Sequence, residues 1–192
     1  MGVGRFRTDL GFALMKLGIA LSRQSMPEYV YWLLESAVEN AEFTSENKIE
    51  VKEITSDELD KIVRKQMEVS SWFWDGKIYY TDIETWRKII RDDLIDRISW
   101  TSERFDCDNF ATLFSSFMAL FYGLNGAGVA IGAVLDNNKS VTGYHAYNVL
   151  VAEENGKVKL FVYEPQNDEI QPASRETKMS WAYYRTDFII WR

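Results

Sequence analysis

Cys107 and His145 are the sole cysteine and the sole histidine of the 192-residue chain, and they stand in that order ahead of Glu164 and Gln166. Together these types can make a nucleophile. An imidazole takes the proton of a thiol, and a carboxylate on the far ring nitrogen sets the tautomer and stabilises the imidazolium. Cys107 opens the run Phe110, Leu113, Phe114, Phe117, Leu120 and Phe121, stopped by Gly123, which predicts a buried helix with Asp106 as N-cap. A thiol in a first helical turn faces unpaired N–H groups and the positive end of the dipole, which favours the thiolate. Asp106 and Asp108 oppose that effect by like charge, so an imidazolium or a bound cation has to offset them.

The position of His145 follows from counting. Tyr144–Ala152 and Lys157–Glu164 read as strands joined through Asn155-Gly156, the dipeptide of a two-residue type I′ turn. Stepping outward pairs Glu154 with Lys157, Val151 with Leu160, Val149 with Val162, Tyr147 with Glu164 and His145 with Gln166, all on one face. The stripe is aliphatic near the turn and polar at its far end, where Glu164 falls diagonally beside His145.

The elements that must carry these residues are read from periodicity and caps. Leu10, Leu14, Leu17 and Leu21, then Val30, Leu33, Leu34, Ala37 and Val38, predict two N-terminal helices. Thr55–Glu58 is a capping box that opens a helix through Leu59, Ile62, Val63 and Met67, and Thr81–Glu84 is a second, before Ile83, Trp86, Ile89, Ile90 and Leu94. Between them, Trp72–Trp74 and Lys77–Tyr80 flank Asp75-Gly76 and predict an aromatic hairpin. From Gly128 onward the pattern turns β-rich, with strands over Val129–Leu135, Tyr144–Ala152, Lys157–Glu164 and Asp187–Trp191. Helices first and sheet second give an α+β class. Residues 1–50 read as a helical extension and 51–192 as a catalytic domain, or the whole chain as one domain.

A chain that is 46% hydrophobic, with 29 acidic and 22 basic residues, folds around a core and carries a formal charge of −7. That charge opposes nucleic acid as a partner. A single cysteine makes no internal disulfide, which fits a reducing compartment. Asp9 and Lys16 interrupt the apolar run of the first 21 residues, so it reads as neither a signal peptide nor a membrane span. The expectation is a cytoplasmic protein without a membrane partner. A viral origin is compatible with it, since viral lysis enzymes leave the cell without such signals.

Cys at the start of a buried helix, His on a strand and an acid on the next strand resemble the chain order of papain-like cysteine peptidases and their transglutaminase-like relatives. Trp100 ahead of Cys107, and Gln166 two positions after Glu164, resemble most closely the calcium-dependent C-terminal protease domain of the Marasmius oreades agglutinin. The resemblance covers roughly residues 95–170. It implies a papain-like fold, with a helical N-terminal half and the nucleophile helix packed on an antiparallel sheet or half-barrel. It also implies a thiol protease, a hydrolase that cuts peptide or amide bonds of a peptide or protein substrate through a Cys107, His145, Glu164 catalytic triad. Gln166 and Trp100 would stabilise the oxyanion or shield the triad. No cofactor is needed for that chemistry, and calcium near Asp108 and Asn109 is what the resemblance adds.

Two other readings remain open. Asp-Cys followed by His on a strand also resembles the NlpC/P60 cell-wall amidases and endopeptidases, although those carry small residues where Asp108 and Asn109 stand. From a different class, the chain reads as a non-catalytic binding or assembly protein, viral in one version, that retains the fold.

Overall fold

The computed structural model describes Lys16 and residues 49–192. The helical extension expected over residues 1–50 therefore lies almost wholly outside the described residues. In chain order come β1 (Lys52–Thr55), α1 (Ser56–Met67), β2 (Ser70–Phe73), β3 (Lys77–Asp82), α2 (Ile83–Asp92), a 3₁₀ turn (Ile95–Arg97) and α3 (Cys107–Tyr122). Six strands follow: β4 (Ala127–Leu135), β5 (Val141–Glu154), β6 (Lys157–Glu164), β7 (Glu169–Pro172), β8 (Glu176–Lys178) and β9 (Tyr183–Trp191).

This order corrects the expected papain-like architecture. Strands interleave with helices from Lys52 to Tyr122, so the described first half is mixed rather than purely helical. The nine-stranded sheet runs β1-β3-β5-β4-β9-β2, with β6 and β7 built onto β5 and β8 onto β9. It is mixed rather than antiparallel, because β2 pairs with β9, and β3 with β5, in parallel. The expected aromatic hairpin is absent among the described residues, since β2 and β3 pair with different strands. A type I′ turn needs positive φ at both central residues. Neither Asp75 nor Gly76 has it.

Local chemistry explains the helix starts. Thr55 caps α1 in a reciprocal box: its hydroxyl accepts the Glu58 N–H at 3.3 Å while the Glu58 carboxylate accepts the Thr55 N–H at 3.2 Å. For α2 the cap is Asp82 rather than Thr81, with Asp82 Oδ1 accepting from the Thr85 N–H at 2.9 Å. Thr81 stays in β3, where its hydroxyl donates to the Glu50 carbonyl.

The hairpin of β5 and β6 has the register that its turn predicts. Asn155 and Gly156 sit at φ 54° and 71°, both in the left-handed region. Glu154 faces Lys157, Val151 faces Leu160 and Val149 faces Val162. Alternation then feeds both faces of the sheet. Tyr147, Val149, Val151, Leu160 and Val162 join α1 in one core. Leu150, Ala152, Phe161 and Tyr163 join Trp86 of α2 and Phe114 of α3 in the other. Asn148, fully buried on that second side, donates through Nδ2 to the carbonyls of Ala111 and Gly128 at 2.9 and 3.3 Å, tying α3 to the sheet.

Candidate thiol site

Asp106 is the N-cap of α3 and Cys107 its first residue. Asn109 closes the cap, its Oδ1 accepting the Asp106 N–H at 3.2 Å. The helix packs on the side of β5 that carries Ala146, and Cys107, Ala111, Val129 and Ala146 form a small apolar cluster there. By alternation His145 belongs to the opposite side with Tyr147, whose ring centroid lies 6.1 Å from the imidazole. Cys107 packs with Ala146 and shares one cleft lining with His145, and both the imidazole and the Ala146 N–H favour its thiolate.

His145 Nε2 donates to Glu164 Oε2 at 2.6 Å, and both side chains are nearly shut off from solvent, at 12% and 3% exposure. A carboxylate is an acceptor only, so Nε2 carries the proton and Nδ1 is the nitrogen left for the thiol. Glu164 is itself held by two more donors. Its Oε2 accepts the Tyr184 hydroxyl at 2.8 Å and its Oε1 accepts the main-chain N–H of Gln166 at 3.1 Å.

The charges follow from these contacts. Hydrogen bonding to His145 is the largest influence on Cys107 and lowers its pKa below the ordinary thiol value, against burial and the Asp106 charge, which act upward. For His145, burial is the largest influence and disfavours the cation. Hydrogen bonds and charge from Cys107 and Glu164 outweigh it and raise the pKa to about 9. Each shift thus favours the charged form of its group, thiolate and imidazolium, over the neutral pair.

A cleft of about 500 Å³ opens over this pair. Its rim includes Trp100, expected from the sequence, and Tyr144 and Trp181, which sequence reasoning missed. Gln166 lines it as well, and its main-chain N–H holds Glu164. Tyr184 was missed as well. The only signal for Trp181 and Tyr184 was an aromatic cluster over residues 181–184, with nothing to aim it at His145.

Asp108 and Asn109 do not form a calcium cradle. Asn109 Oδ1 is spent on the helix cap. Ligand atoms of Asp106, Cys107 and Asp108 lie within 4.8 Å of one another, but one is a soft sulfur. Calcium takes six to eight oxygens, so the donor set present does not fit it. Hydrogen bonding with Asp106 is the largest influence on Asp108 and raises its pKa above the ordinary carboxyl value.

Tyr184→Phe removes one of three donors to a buried carboxylate without changing shape. It is expected to cost about 2 kcal/mol in urea unfolding and to slow alkylation of Cys107 severalfold at neutral pH. Unchanged values in both assays would show that the hydroxyl has no part in holding the pair.

Fold and site together define a mixed α/β module with a thiol-centred cleft at one end of a twisted sheet. The chain belongs to the ricin-type β-trefoil lectin C-terminal domain family, whose description matches residues 35–179. Among solved structures it is similar to a complex of PSL1a with E64, at 22% identity and a TM-score of 0.53, covering 72% of this chain and 51% of that one. It is similar too to the Polyporus squamosus lectin bound to the human-type influenza-binding epitope Neu5Acα2-6Galβ1-4GlcNAc. That likeness is 20% identical with a TM-score of 0.53, over 72% of this chain and 49% of that one. The chain thus spans about half the length of the solved chains that it matches. No curated protein matches the sequence.

These findings overturn the papain-like assignment. The family is that of a lectin's C-terminal domain and the similar structures are lectin chains, so the expected cysteine peptidase, with its hydrolysis of peptide or amide bonds, gives way. The cell-wall amidase reading falls with it, for the same reason. No helix among the described residues is long and apolar enough to cross a membrane.

Proposed function

We propose that this chain is a ligand-binding module of a lectin, and that its ligand site is the cleft where Cys107 captures an electrophilic carbon. One observation carries the reading: the buried Glu164 carboxylate holds the sole imidazole at 2.6 Å in the cleft that Cys107 also lines, with the thiol lowered and the imidazole raised. In the capture step the sulfur lone pair forms a C–S bond and the bond from that carbon to its leaving atom breaks. The leaving atom takes its proton from the imidazolium, and Glu164 holds the ring in place. Gln166 and Trp100 line the same cleft, and to them we assign contact with the captured group.

The E64 bound in one similar structure is the natural first ligand. Glycan binding, as in the Polyporus squamosus lectin, we ascribe to the longer lectins of which such modules are part. A formal charge of −7 argues against nucleic acid as a partner, and a lone thiolate lasts best in a reducing compartment such as the cytoplasm.

Incubating the full chain with the epoxide E64 at neutral pH and weighing it by mass spectrometry tests the reading. A single adduct on Cys107 is expected, absent from Cys107→Ser and formed much faster in the folded chain than in the urea-unfolded one. Equal rates in folded and unfolded chains would overturn it. Protection of Cys107 by the sialylated trisaccharide would move glycan recognition into this cleft.

A further inference from the structure

Three aromatic side chains rise around the cleft with most of their surface free: Trp100 is 55% exposed, Trp181 59% and Tyr144 72%. Exposed rings of this size are costly to leave bare unless something is to cover them. Among the described residues the lining contains no lysine or arginine. Its single cationic group is His145, paired with Glu164 at 2.6 Å. The Asp106 carboxylate is then left over, so the cleft floor is negative on balance. Aromatic faces carry negative quadrupole charge and add to the same field.

On the reading of Cys107 as a reactive thiolate, we infer that the cleft selects ligands bearing a positive charge, an ammonium or guanidinium seated against Trp100, Trp181 and Tyr144 beside the carbon under attack. The volume of about 500 Å³ has room for such a group together with the reacting centre. Asp106 contributes through charge from the helix cap, and Trp181 through its ring, which stands edge-on to the imidazole at 6.3 Å between centroids. An anionic ligand would meet the same field as repulsion.

Three methanethiosulfonates present one chemistry with three charges: the trimethylammonioethyl, methyl and sulfonatoethyl reagents. In each the thiolate attacks the sulfenyl sulfur, a disulfide forms and methanesulfinate leaves. Labelling rates of Cys107 in the full chain are measured, each divided by the rate with free N-acetylcysteine. They are expected to fall from cation to neutral to anion, by about tenfold across the series at low salt and less at high salt. Asp106→Asn, which keeps a good N-cap, and Trp181→Ala should each shrink the cation-to-anion ratio severalfold. Because it is a ratio, it is insensitive to a change in thiolate fraction. Fast labelling by all three reagents with a ratio near one would overturn the charge preference and leave the reactive thiolate standing. Labelling no faster than in the unfolded chain would overturn the thiolate itself, and this inference with it.

Discussion

His145→Ala should slow alkylation of Cys107 by iodoacetamide at pH 7, by up to about 30-fold, because an unassisted thiol is only a few per cent ionised there. Two further effects bear on that figure and run in opposite directions. Without the imidazolium, burial and the Asp106 charge still push the thiol upward, which deepens the loss. A more basic sulfur is intrinsically more nucleophilic, which recovers part of it. The pH profile separates this account from a steric one. In the wild type the rate holds to lower pH than in the variant and drops as pH falls through the lowered Cys107 value. In the variant it falls about tenfold per unit below the thiol pKa. A level profile in His145→Ala would show that the imidazole does not ionise the thiol.

Protons linked to folding give the same pair a second signature. The His145 pKa is raised from 6.5 to about 9 by the fold, so its contribution is full below 6.5 and is lost as pH rises through 9. Cys107 is lowered from 9.0, so its contribution is present above 9.0 and is lost as pH falls through the folded value. Between the folded Cys107 value and 9.0 the two slopes oppose each other. Urea stability of the wild type should change less with pH over that range than either slope alone would make it. Cys107→Ser removes one of the opposing slopes, so its stability should fall with rising pH.

The second large effect is on the scaffold. Gly132→Ala is expected to destabilise the fold by about 3 kcal/mol or more in urea unfolding and to disturb the thiol site with it. A Cβ there would meet the Arg185 carbonyl oxygen at 2.2 Å and Thr186 Cα at 2.9 Å, main-chain atoms that cannot swing aside. Gly132 sits at the bulge where β4 slips against β9, and on its other side it pairs with His145. Thr186, across the bulge, bonds to the Tyr147 hydroxyl at 2.7 Å. Pushing β9 away therefore moves Tyr184, on the same strand, away from Glu164. Wild-type stability and labelling in Gly132→Ala would mean that the two strands separate freely at the bulge.

What could be read from the amino-acid order alone was whatever depends on neighbours in the chain. Asn155-Gly156 determined a turn because few other dipeptides accept positive φ twice, and from it followed the register that sets Glu164 beside His145. The caps at Thr55 and Asp106 were legible for the same reason, since each binds a group three residues away. Asp75-Gly76 shows the limit of such reasoning: the dipeptide is right for a hairpin, but β2 finds β9 and β3 finds β1 and β5, and pairing with distant strands prevails. The family likewise could not be read from a handful of site residues, because chemistry recurs on unrelated frames. Tertiary structure alone decided that α3 would cross the sheet on one side and His145 stand on the other, with thiol and imidazole lining one cleft. It alone brought Tyr184 and Trp181 from the last strand and its approach to the same point. Those contacts are made by residues far apart in the chain, and their geometry comes from how a long mixed sheet twists and is covered, which no local pattern encodes.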